Sequence, residues 1–354
     1  MSDHRHHVGA ARAEGVGYTI VENASLDGRN TFRVAARANL LIDVRRADAL
    51  HELFGFAMLK SQPLLVLGAG SNILFTRDWP GIVLSMAAHA TRVLEDDGET
   101  ATLRVEGGES WNAFVHWSLA HGFCGLENLV LIPGTVGAAP IQNIGAYGTE
   151  VGEFISTVEV WDRTAGAIRR LSRGECRFGY RDSVFKQERD RYIVIAVEFV
   201  LSRSHPLRMD YAGIHEELAA LGVETPGATN VAEAITRLRT RKLPNPDLVG
   251  NAGSFFKNPV IPREQAAILA REHPGMPVWE GPDETMKLSA AWLIESCCFK
   301  GLRQGHAAVS EQHALVLVNQ GQASGAEILA LARHIQQGVR ERYGVDLEIE
   351  PLVL

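Results

Sequence analysis

One stretch of the chain, residues 125–148, restricts the possible folds more than any other. It reads Gly-Leu-Glu-Asn-Leu-Val-Leu-Ile-Pro-Gly-Thr-Val-Gly-Ala-Ala-Pro-Ile-Gln-Asn-Ile-Gly-Ala-Tyr-Gly, and we call it the glycine-rich segment. It is too apolar for an ordinary loop, while Pro133, Pro140 and the repeated glycines exclude a long helix. Its small residues would let the backbone approach a flat or extended ligand closely.

The charge of the glycine-rich segment narrows the kind of ligand. Glu127 is its one charged residue, so a bound ligand would meet main-chain N–H groups rather than Lys or Arg. Its further polar side chains include Thr135, Gln142 and Asn143. This arrangement favours a large, partly anionic cofactor, with a glycine-rich packed turn as the alternative interpretation.

Length and composition set the broad class. A chain of 354 residues with 46% hydrophobic and 22% charged residues is typical of a globular protein with two or three domains. The net charge of −7 argues against a nucleic-acid-binding protein. We see no transmembrane run and no signal peptide, so the sequence predicts no membrane association.

The cysteines and the N-terminus indicate the compartment. The four cysteines show no metal-binding spacing, and two of them, Cys297 and Cys298, are adjacent, so we expect a reduced, cytoplasmic protein. The first residues are polar and include His4, His6 and His7. A flexible tail over residues 1–18 is favoured there over a metal site.

The turn at residues 68–73 tests for a dinucleotide-binding fold. A strand at 39–45, a helix at 47–60 and a buried strand at 64–67 precede it. Ile73 stands where the third glycine of the dinucleotide fingerprint belongs, and no acidic residue ends the next strand. A Rossmann domain is therefore excluded. A phosphate-binding turn that uses Ser71 and Asn72 stays open.

The remaining periodicities mix short strands with few helices. The expected elements are a hairpin at 91–106, a helix at 110–122, strands at 155–161, 167–171 and 192–201, a helix at 230–242, helices at 262–271 and 287–296, a strand at 313–319, a helix capped by Ser324 that ends at Gly344, and a last strand at 345–354. This order predicts an α+β fold rather than repeated βαβ units.

Cationic and hydroxyl side chains suggest chemistry at three places. Arg181, among aromatic and charged residues at 176–186, would either pair with Asp182 on the surface or bind a carboxylate. The cations at the end of the 230–242 helix, Arg237, Arg239, Arg241 and Lys242, form either a solvated helix end or a diphosphate-binding patch. Ser254 lacks the surroundings of a hydrolase nucleophile but would suit a proton donor.

Five motifs taken together resemble a known family. They are Leu-Gly-Ala-Gly-Ser-Asn at 67–72, the glycine-rich segment, Arg-Phe-Gly-Tyr-Arg-Asp-Ser at 177–183, Gly-Asn-Ala-Gly-Ser-Phe-Phe-Lys-Asn-Pro at 250–259, and Leu-Glu-Ile-Glu at 347–350. In this order they are similar to the flavin-dependent UDP-N-acetylenolpyruvoylglucosamine reductases of peptidoglycan synthesis. The stretch between Leu201 and Asn230, which carries Tyr211, resembles the insert of the type I branch, whose tyrosine closes over the substrate.

The resemblance implies both fold and cofactor. It implies an α+β chain with a two-part FAD-binding portion of the vanillyl-alcohol oxidase type, followed by an α+β substrate-binding domain. The corresponding boundaries are a tail at 1–18, FAD-binding subdomains at 19–89 and 90–242, and a substrate domain at 243–354. The implied partners are NADPH and UDP-N-acetylglucosamine enolpyruvate, with a monomeric enzyme. The FAD-binding residues would be Gly68, Ala69, Gly70, Ser71, Asn72, Thr135, Gly137, Ala138, Gln142, Asn143, Gly145 and Tyr147.

The resemblance also implies a mechanism. Hydride from the flavin adds to the terminal carbon of the enolpyruvyl double bond, and negative charge develops on the neighbouring carbon and its carboxylate. Arg181 and Glu350 match the residues placed at this charge, and Ser254 matches the proton donor. The substrate contacts would be Tyr211, Lys242 and Asn258.

The alignment at the C-terminus leaves two acids open. Ile349 stands where the family often has a proline, and Glu348 lies two residues from Glu350, so Glu348 is the alternative acid. On pattern alone, Glu350 would be a solvent-facing strand residue. Two other functions remain: an FAD-dependent oxidase or dehydrogenase acting on another small molecule, and a non-catalytic module that binds a nucleotide sugar.

Overall fold

The computed structural model describes residues 11–354. Its strands are β1 (Arg12–Gly15), β2 (Tyr18–Ser25), β3 (Arg37–Val44), β4 (Leu64–Val66), β5 (Ile73–Leu74), β6 (Trp79–Met86), β7 (Thr91–Asp96), β8 (Thr100–Glu106), β9 (Gly145–Ala146), β10 (Thr149–Glu150), β11 (Ile155–Asp162), β12 (Ala167–Ser172), β13 (Tyr192–Ser202), β14 (Gly250–Ser254), β15 (Val260–Pro262), β16 (Val278–Glu280), β17 (Thr285–Leu288), β18 (Arg303–Gln304), β19 (Ala307–Val309), β20 (Val316–Asn319) and β21 (Leu352–Val353). Its α-helices are α1 (Ala49–Leu53), α2 (Ala57–Ser61), α3 (Trp111–Ala120), α4 (Arg173–Cys176), α5 (Val184–Gln187), α6 (Ile214–Ala220), α7 (Ala228–Lys242), α8 (Arg263–Glu272), α9 (Ala290–Ser296) and α10 (Gly325–Tyr343).

The described chain divides into two compact units. The first comprises residues 11–25, 37–69 and 79–239, and the second comprises residues 26–36, 70–78 and 240–354. Two short N-terminal segments therefore group with the C-terminal third, which differs from the contiguous domains expected from the sequence. The expected flexible tail at 1–18 is wrong in its second half, because β1 pairs with β2. His4, His6 and His7 lie outside the described residues.

The first unit contains two five-stranded sheets. In the first sheet, with order β1-β2-β3-β6-β4, the β3–β6 and β4–β6 pairs are parallel. Its core includes Ile42 and Leu84 from the strands and Leu50 from α1. The second sheet, with order β12-β11-β13-β8-β7, is antiparallel throughout. Side chains from α3 and α7, among them Phe114 and Ile235, belong to its buried core.

The second unit contains a four-stranded sheet of order β14-β20-β19-β18, a three-stranded sheet of order β15-β17-β16, and the parallel pair β21–β5. The longest helix, α10, places Ile328, Leu331 and Ile335 in the core of this unit. Ser324 and Glu327 form the capping box expected at its start, and Gly344 ends it in a left-handed conformation.

Most predicted elements are confirmed, and three are wrong. The helix expected at 47–60 is broken into α1 and α2, because glycine at position 55 weakens a helix interior. The helix expected from residue 287 begins at Ala290, since Thr285–Leu288 is β17 and pairs with two strands. The last strand is confined to Leu352–Val353 and a single bridge at Ile349. No helix within residues 11–354 is long and apolar enough to span a membrane.

Candidate cofactor and substrate sites

The glycine-rich segment lies antiparallel to residues 107–112 of the first unit. Thr135 forms an isolated bridge with Ser110, and the Trp111 N–H donates to the Gly134 carbonyl at 3.1 Å. The Gly137 N–H donates to the Gly107 carbonyl at 2.9 Å. The segment is therefore fixed along one side by its own chain before any ligand binds.

The glycines of this region serve close packing of protein against protein. A Cβ on Gly137 would lie 2.9 Å from the Gly107 carbonyl oxygen, and one on Gly68 would lie 2.8 Å from the Thr135 Oγ1. The N–H groups of Gly137, Ala138 and Asn143 donate to carbonyls of the chain itself. These three N–H groups are therefore already used within the chain in this structure, and the binding of FAD by their residues stays a prediction.

Asn143 joins the glycine-rich segment to the loop that carries Arg181. Its Nδ2 donates to the Glu150 Oε2 at 2.7 Å and to the Gly179 carbonyl at 3.0 Å, and its Oδ1 accepts the Gly152 N–H at 2.8 Å. Both donors of this buried amide are thus used by the protein. The Asn143 side chain acts as an internal brace in this structure.

Arg181 is half-buried and has the left-handed backbone conformation (φ 54°). Its Nη2 donates to the Gly145 carbonyl at 2.9 Å, which directs the guanidinium toward the glycine-rich segment. Two further bonds hold its loop: Lys186 Nζ donates to the Arg181 carbonyl at 2.7 Å, and Ser183 Oγ donates to the Ile141 carbonyl at 2.6 Å. Such a braced guanidinium is suited to bind a carboxylate.

Arg239 of α7 provides a test of whether the site fits FAD. Its Nη2 donates to the Leu131 carbonyl at 3.3 Å, while its Nε is inaccessible to solvent and has no hydrogen-bond partner within residues 11–354. Burial lowers the pKa of Arg239, and nearby Tyr147 acts in the opposite direction. Arg239 as a whole is half-buried, and its unused, inaccessible Nε beside the glycine-rich segment fits an anionic cofactor, because a buried donor without a partner is costly. Arg239 is therefore not the solvated cation that the helix-end interpretation requires.

The other α7 cations differ from Arg239. Arg237 pairs with Glu233 on the exposed face of the helix at 2.8 Å, as the helix-end interpretation expects. Lys242 is exposed and lies at the last position of α7. In the second unit, burial lowers the pKa of His313, and Lys242 and Lys300 lower it further. This local positive potential is consistent with a phosphate-binding role for Lys242.

The turn after β4 is divided between the two units: Gly68 and Ala69 belong to the first unit, and Gly70, Ser71 and Asn72 belong to the second. Gly70 has φ 66°, and a Cβ there would lie 2.0 Å from the Arg29 carbonyl oxygen, so glycine is required. Its own carbonyl accepts the Thr31 N–H at 3.1 Å. Ser71 and Asn72 are half-buried. The other predicted cofactor residues, Thr135, Gln142, Gly145 and Tyr147, are also half-buried.

Ser254 and Glu350 are brought onto neighbouring segments of the second unit. Ser254 ends β14, directly before Phe255 and Phe256. Phe256 forms an antiparallel bridge with Ile349, and the Glu350 N–H donates to the Phe255 carbonyl at 2.9 Å. The backbone of Glu350 is thus bonded to the residue that follows Ser254, so the two predicted catalytic residues lie on two paired backbone segments.

The same pairing distinguishes the two candidate acids. Glu348 is exposed, and its carboxylate forms an ion pair with Lys257. Glu350 is half-buried. Both residues pair with the segment after Ser254: the Glu348 carbonyl accepts the Lys257 N–H at 2.9 Å, whereas Glu350 pairs with Phe255, the residue next to Ser254. Glu350 is therefore nearer to Ser254 along the paired segment and less exposed than Glu348.

Tyr211, a predicted substrate contact, packs its ring against Tyr147 at a centroid distance of 4.8 Å. Asn258, another predicted contact, accepts the Ala290 N–H on its Oδ1 at 3.0 Å, and so it fixes the start of α9.

The sequence reasoning missed Asn128, Arg208 and the buried Nε of Arg239. The pair of polar residues at 127–128 within an apolar run was a signal for the first of these.

Comparisons with known proteins now define the class. A model of an FAD binding domain matches residues 38–172, and the chain is an FAD-dependent oxidoreductase. A model of the C-terminal domain of UDP-N-acetylenolpyruvoylglucosamine reductase matches residues 245–354.

Relatives extend the likeness to the whole chain. UDP-N-acetylenolpyruvoylglucosamine reductase of Xanthomonas euvesicatoria pv. vesicatoria is 52% identical over 96% of this chain and 97% of that protein. The enzyme of that name from Xanthomonas campestris pv. campestris strain 8004 is 51% identical over 95% of this chain and 97% of its own length. The chain belongs to the UDP-N-acetylenolpyruvoylglucosamine reductase family.

A solved structure agrees with the fold. The crystal structure of UDP-N-acetylenolpyruvylglucosamine reductase from Thermus caldophilus, at 24% identity, matches with a TM-score of 0.64 over 98% of this chain and 99% of that one. The predicted fold class, an α+β chain with an FAD-binding portion of the vanillyl-alcohol oxidase type and an α+β second part, is confirmed. The predicted family and the FAD cofactor are also confirmed.

Proposed function

We propose that this enzyme uses NADPH to reduce the enolpyruvyl group of UDP-N-acetylglucosamine enolpyruvate, which gives UDP-N-acetylmuramate for peptidoglycan synthesis. The supporting observation is the adjacency of Ser254 and Glu350, since reduction of an enolpyruvyl ether needs a proton donor and a group that stabilises the developing charge. FAD, once bound and reduced by NADPH, supplies the hydride that reaches the terminal carbon of the double bond.

In the first unit, Arg181 binds the carboxylate of the enolpyruvyl group. As the hydride arrives, negative charge spreads from the neighbouring carbon into this carboxylate, and a fixed guanidinium stabilises it most in the transition state. The bonds from Arg181 to Gly145 and from Lys186 to the Arg181 carbonyl keep the guanidinium in place without further reorganisation.

In the second unit, the Ser254 hydroxyl transfers its proton to the carbon that bears the carboxylate, and the lactyl ether results. Glu350 lies on the segment paired with Phe255 and acts in its protonated form, in which its carboxyl group donates a hydrogen bond toward the developing negative charge. Ser254 then regains a proton from solvent, so one hydride and one proton are added in each turnover. Tyr211, Lys242 and Asn258 contact the UDP-sugar, with Lys242 at its phosphates.

The FAD-binding residues combine backbone turns with a cation. Gly68, Ala69, Gly70, Ser71 and Asn72 form one turn, and the predicted residues of the glycine-rich segment bind the cofactor as well. Arg239 adds the positive charge that the glycine-rich segment itself lacks. The buried, unpartnered Nε of Arg239 supports this assignment.

The test is NADPH oxidation by the purified, yellow protein with the enolpyruvyl sugar present and absent. We expect oxidation to depend on the sugar. Rapid oxygen consumption without the sugar would show instead an oxidase acting on another small molecule. A protein that binds the sugar but never oxidises NADPH would be a binding module.

A matched pair of variants tests the assignment of the acid. Glu350→Gln should lower kcat by ~100-fold or more, because it removes a charge-stabilising carboxyl group from the Ser254 segment. Glu348→Gln makes the same substitution two residues away and should keep kcat within about twofold, since the exposed Glu348 carboxylate is paired with Lys257. The reverse pattern would assign Glu348 as the acid.

We also propose a cytoplasmic monomer that binds no nucleic acid. All four cysteines lie within the described residues and are free thiols, which suits a reducing compartment. The net charge of −7 is unfavourable for binding phosphate backbones. Light scattering of the purified enzyme at micromolar concentration should give the mass of one chain, 38.7 kDa plus FAD.

A further inference from the structure

Asn128 connects the glycine-rich segment to the insert that carries Tyr211. Its Nδ2 donates to the Tyr147 carbonyl at 2.8 Å and to the Arg208 carbonyl at 3.0 Å. The residue is 1% exposed, so these bonds are shielded from water. One buried amide group therefore spans two backbone segments that are about 60 residues apart in sequence.

Arg208 reaches the same turn with its side chain. Its Nη1 donates to the Gly148 carbonyl at 2.8 Å and to the Glu153 Oε1 at 2.8 Å, and its Nη2 bonds the other Glu153 oxygen. This two-pronged contact lowers the pKa of Glu153, chiefly through its hydrogen bonds with Arg208. Bidentate Arg–carboxylate pairs are more directional than other ion pairs. We call the contacts of Asn128 and Arg208 with residues 147–153 the insert clasp.

The insert clasp is close to Tyr211. Residues 205–210 form neither helix nor strand, so no ladder of hydrogen bonds holds this part of the insert. Arg208 is three residues before Tyr211, whose ring contacts Tyr147 edge-on and is 48% exposed. The clasp thus fixes both sides of the tyrosine pair: it holds Tyr147 by its carbonyl and the approach to Tyr211 through Arg208.

We infer that Asn128 and Arg208 are positioning residues that hold Tyr211 over Tyr147 and thereby set the affinity for the UDP-sugar. The inference rests on the proposed contact of Tyr211 with that substrate. Neither residue touches the reacting atoms in this account. They act by keeping the approach to Tyr211 against residues 147–153, so that less of the insert has to be ordered when the substrate binds.

The test separates substrate affinity from chemistry. In Arg208→Gln, the KM for the enolpyruvyl sugar should rise on the order of tenfold, because a bidentate charged contact is lost. The turnover at saturating sugar, and the rate of flavin reduction at saturating NADPH, should stay within about twofold of wild type. Arg208→Lys keeps the charge and should recover part of the affinity.

The chain offers a matched control at the start of the same insert. Arg203 forms a bidentate pair with Asp96, at 2.9 and 2.8 Å, and the two side chains are exposed to a degree similar to Arg208 and Glu153. Within the described residues, Arg203 contacts Asp96, Glu99 and Phe123 rather than residues 147–153, so Arg203→Gln should leave the KM unchanged. A variant Arg208→Gln that does not fold is replaced by Glu153→Gln, which removes the same pair from the other side.

Tyr211→Ala distinguishes the possible failures. We expect it to raise the KM as Arg208→Gln does, and the double variant should be no worse than Tyr211→Ala alone, because both remove one interaction. A wild-type KM in Arg208→Gln or Glu153→Gln, or additive losses in the double variant, would overturn the clasp. A wild-type KM in Tyr211→Ala would overturn both the clasp and the proposed role of Tyr211.

Discussion

The hydrogen bonds of the Asn143 side chain allow the loss of stability on its truncation to be worked out from the structure. Three hydrogen bonds end on its side chain, and their partners are the Glu150 carboxylate, the Gly179 carbonyl and the Gly152 N–H. The residue is 2% exposed, so its truncation leaves buried groups without partners. Two neutral bonds and one to a carboxylate together contribute about 4 kcal/mol to the free energy of unfolding.

The backbone of Asn143 adds a second cost that can be separated. Its φ is 47°, in the left-handed region that asparagine tolerates better than alanine. Asn143→Ala should therefore lower the free energy of unfolding by about 5 kcal/mol, and Asn143→Gly by about 4 kcal/mol, since glycine loses the bonds without the strain. Urea denaturation followed by circular dichroism measures both.

The brace also predicts a catalytic effect. Because Asn143 holds the Gly179 carbonyl, two residues before Arg181, a folded Asn143→Gly enzyme should lose kcat even when it is saturated with FAD. Unfolding free energies of both variants within ~1 kcal/mol of wild type would refute the energetic reasoning. An unchanged kcat would refute the coupling to Arg181.

Two further predictions concern charge. Arg239→Met should raise the Kd of the apoprotein for FAD at least ~10-fold in a flavin-fluorescence titration, because it removes the proposed cationic contact. It should not lower the thermal stability of the apoprotein, because the buried Nε of Arg239 has no partner there to lose. Arg237→Met, on the exposed face of α7, should change neither quantity, and an equal loss of FAD affinity in both variants would contradict the assignment. Asp162 is fully buried, and the hydrogen bond from Arg191 is the main cause that lowers the pKa of its carboxyl to about 2. The ionised carboxylate therefore stabilises the fold by up to ~2 kcal/mol, fully above the unfolded pKa near 4 and progressively less as the pH falls through about 2. The difference in unfolding free energy between wild type and Asp162→Asn should be constant above pH ~5 and shrink below pH ~4. A difference that grows on acidification would contradict this assignment.

Local sequence signals were sufficient for most elements of the fold. Period-two alternation located β8, and a continuous apolar run located β13. The capping box at Ser324 and the glycine at 344 located both ends of α10. Local signals failed where tertiary contacts decided. The apolar pattern at 47–60 did not register the break at Gly55, and residues 285–288 became a strand because two partner strands were present.

For the site, too, local motifs identified the candidate residues, whereas tertiary contacts determined how they are arranged. Motifs identified Arg181, Ser254 and Glu350 as candidates, but sequence alone did not show that Glu350 is bonded to the residue after Ser254. The alternation at 345–350 indicated a regular strand, whereas the chain there forms one bridge with Phe256. The roles of Asn128 and Arg208 depend on contacts between segments about 60–80 residues apart, which no local pattern encodes.

The glycines were interpreted correctly as sites of close approach, but the partner was different. The sequence argument expected a ligand against the backbone at Gly137. The structure places the Gly107 carbonyl there instead, because residues 107–112 run alongside the segment. A glycine in the sequence indicates that another group packs closely against the backbone, but only the fold shows whether that group is a ligand or another part of the chain.

The central claim is tested most directly by a single turnover without oxygen. The FAD of the purified enzyme is reduced with one equivalent of NADPH and then mixed with the enolpyruvyl sugar, while the flavin absorbance is followed. We predict rapid reoxidation with one lactyl ether formed per flavin, and a rate at least ~100-fold lower in Ser254→Ala, whose reduction by NADPH is unchanged. Reoxidation in Ser254→Ala at the wild-type rate, or none in wild type, would contradict the account.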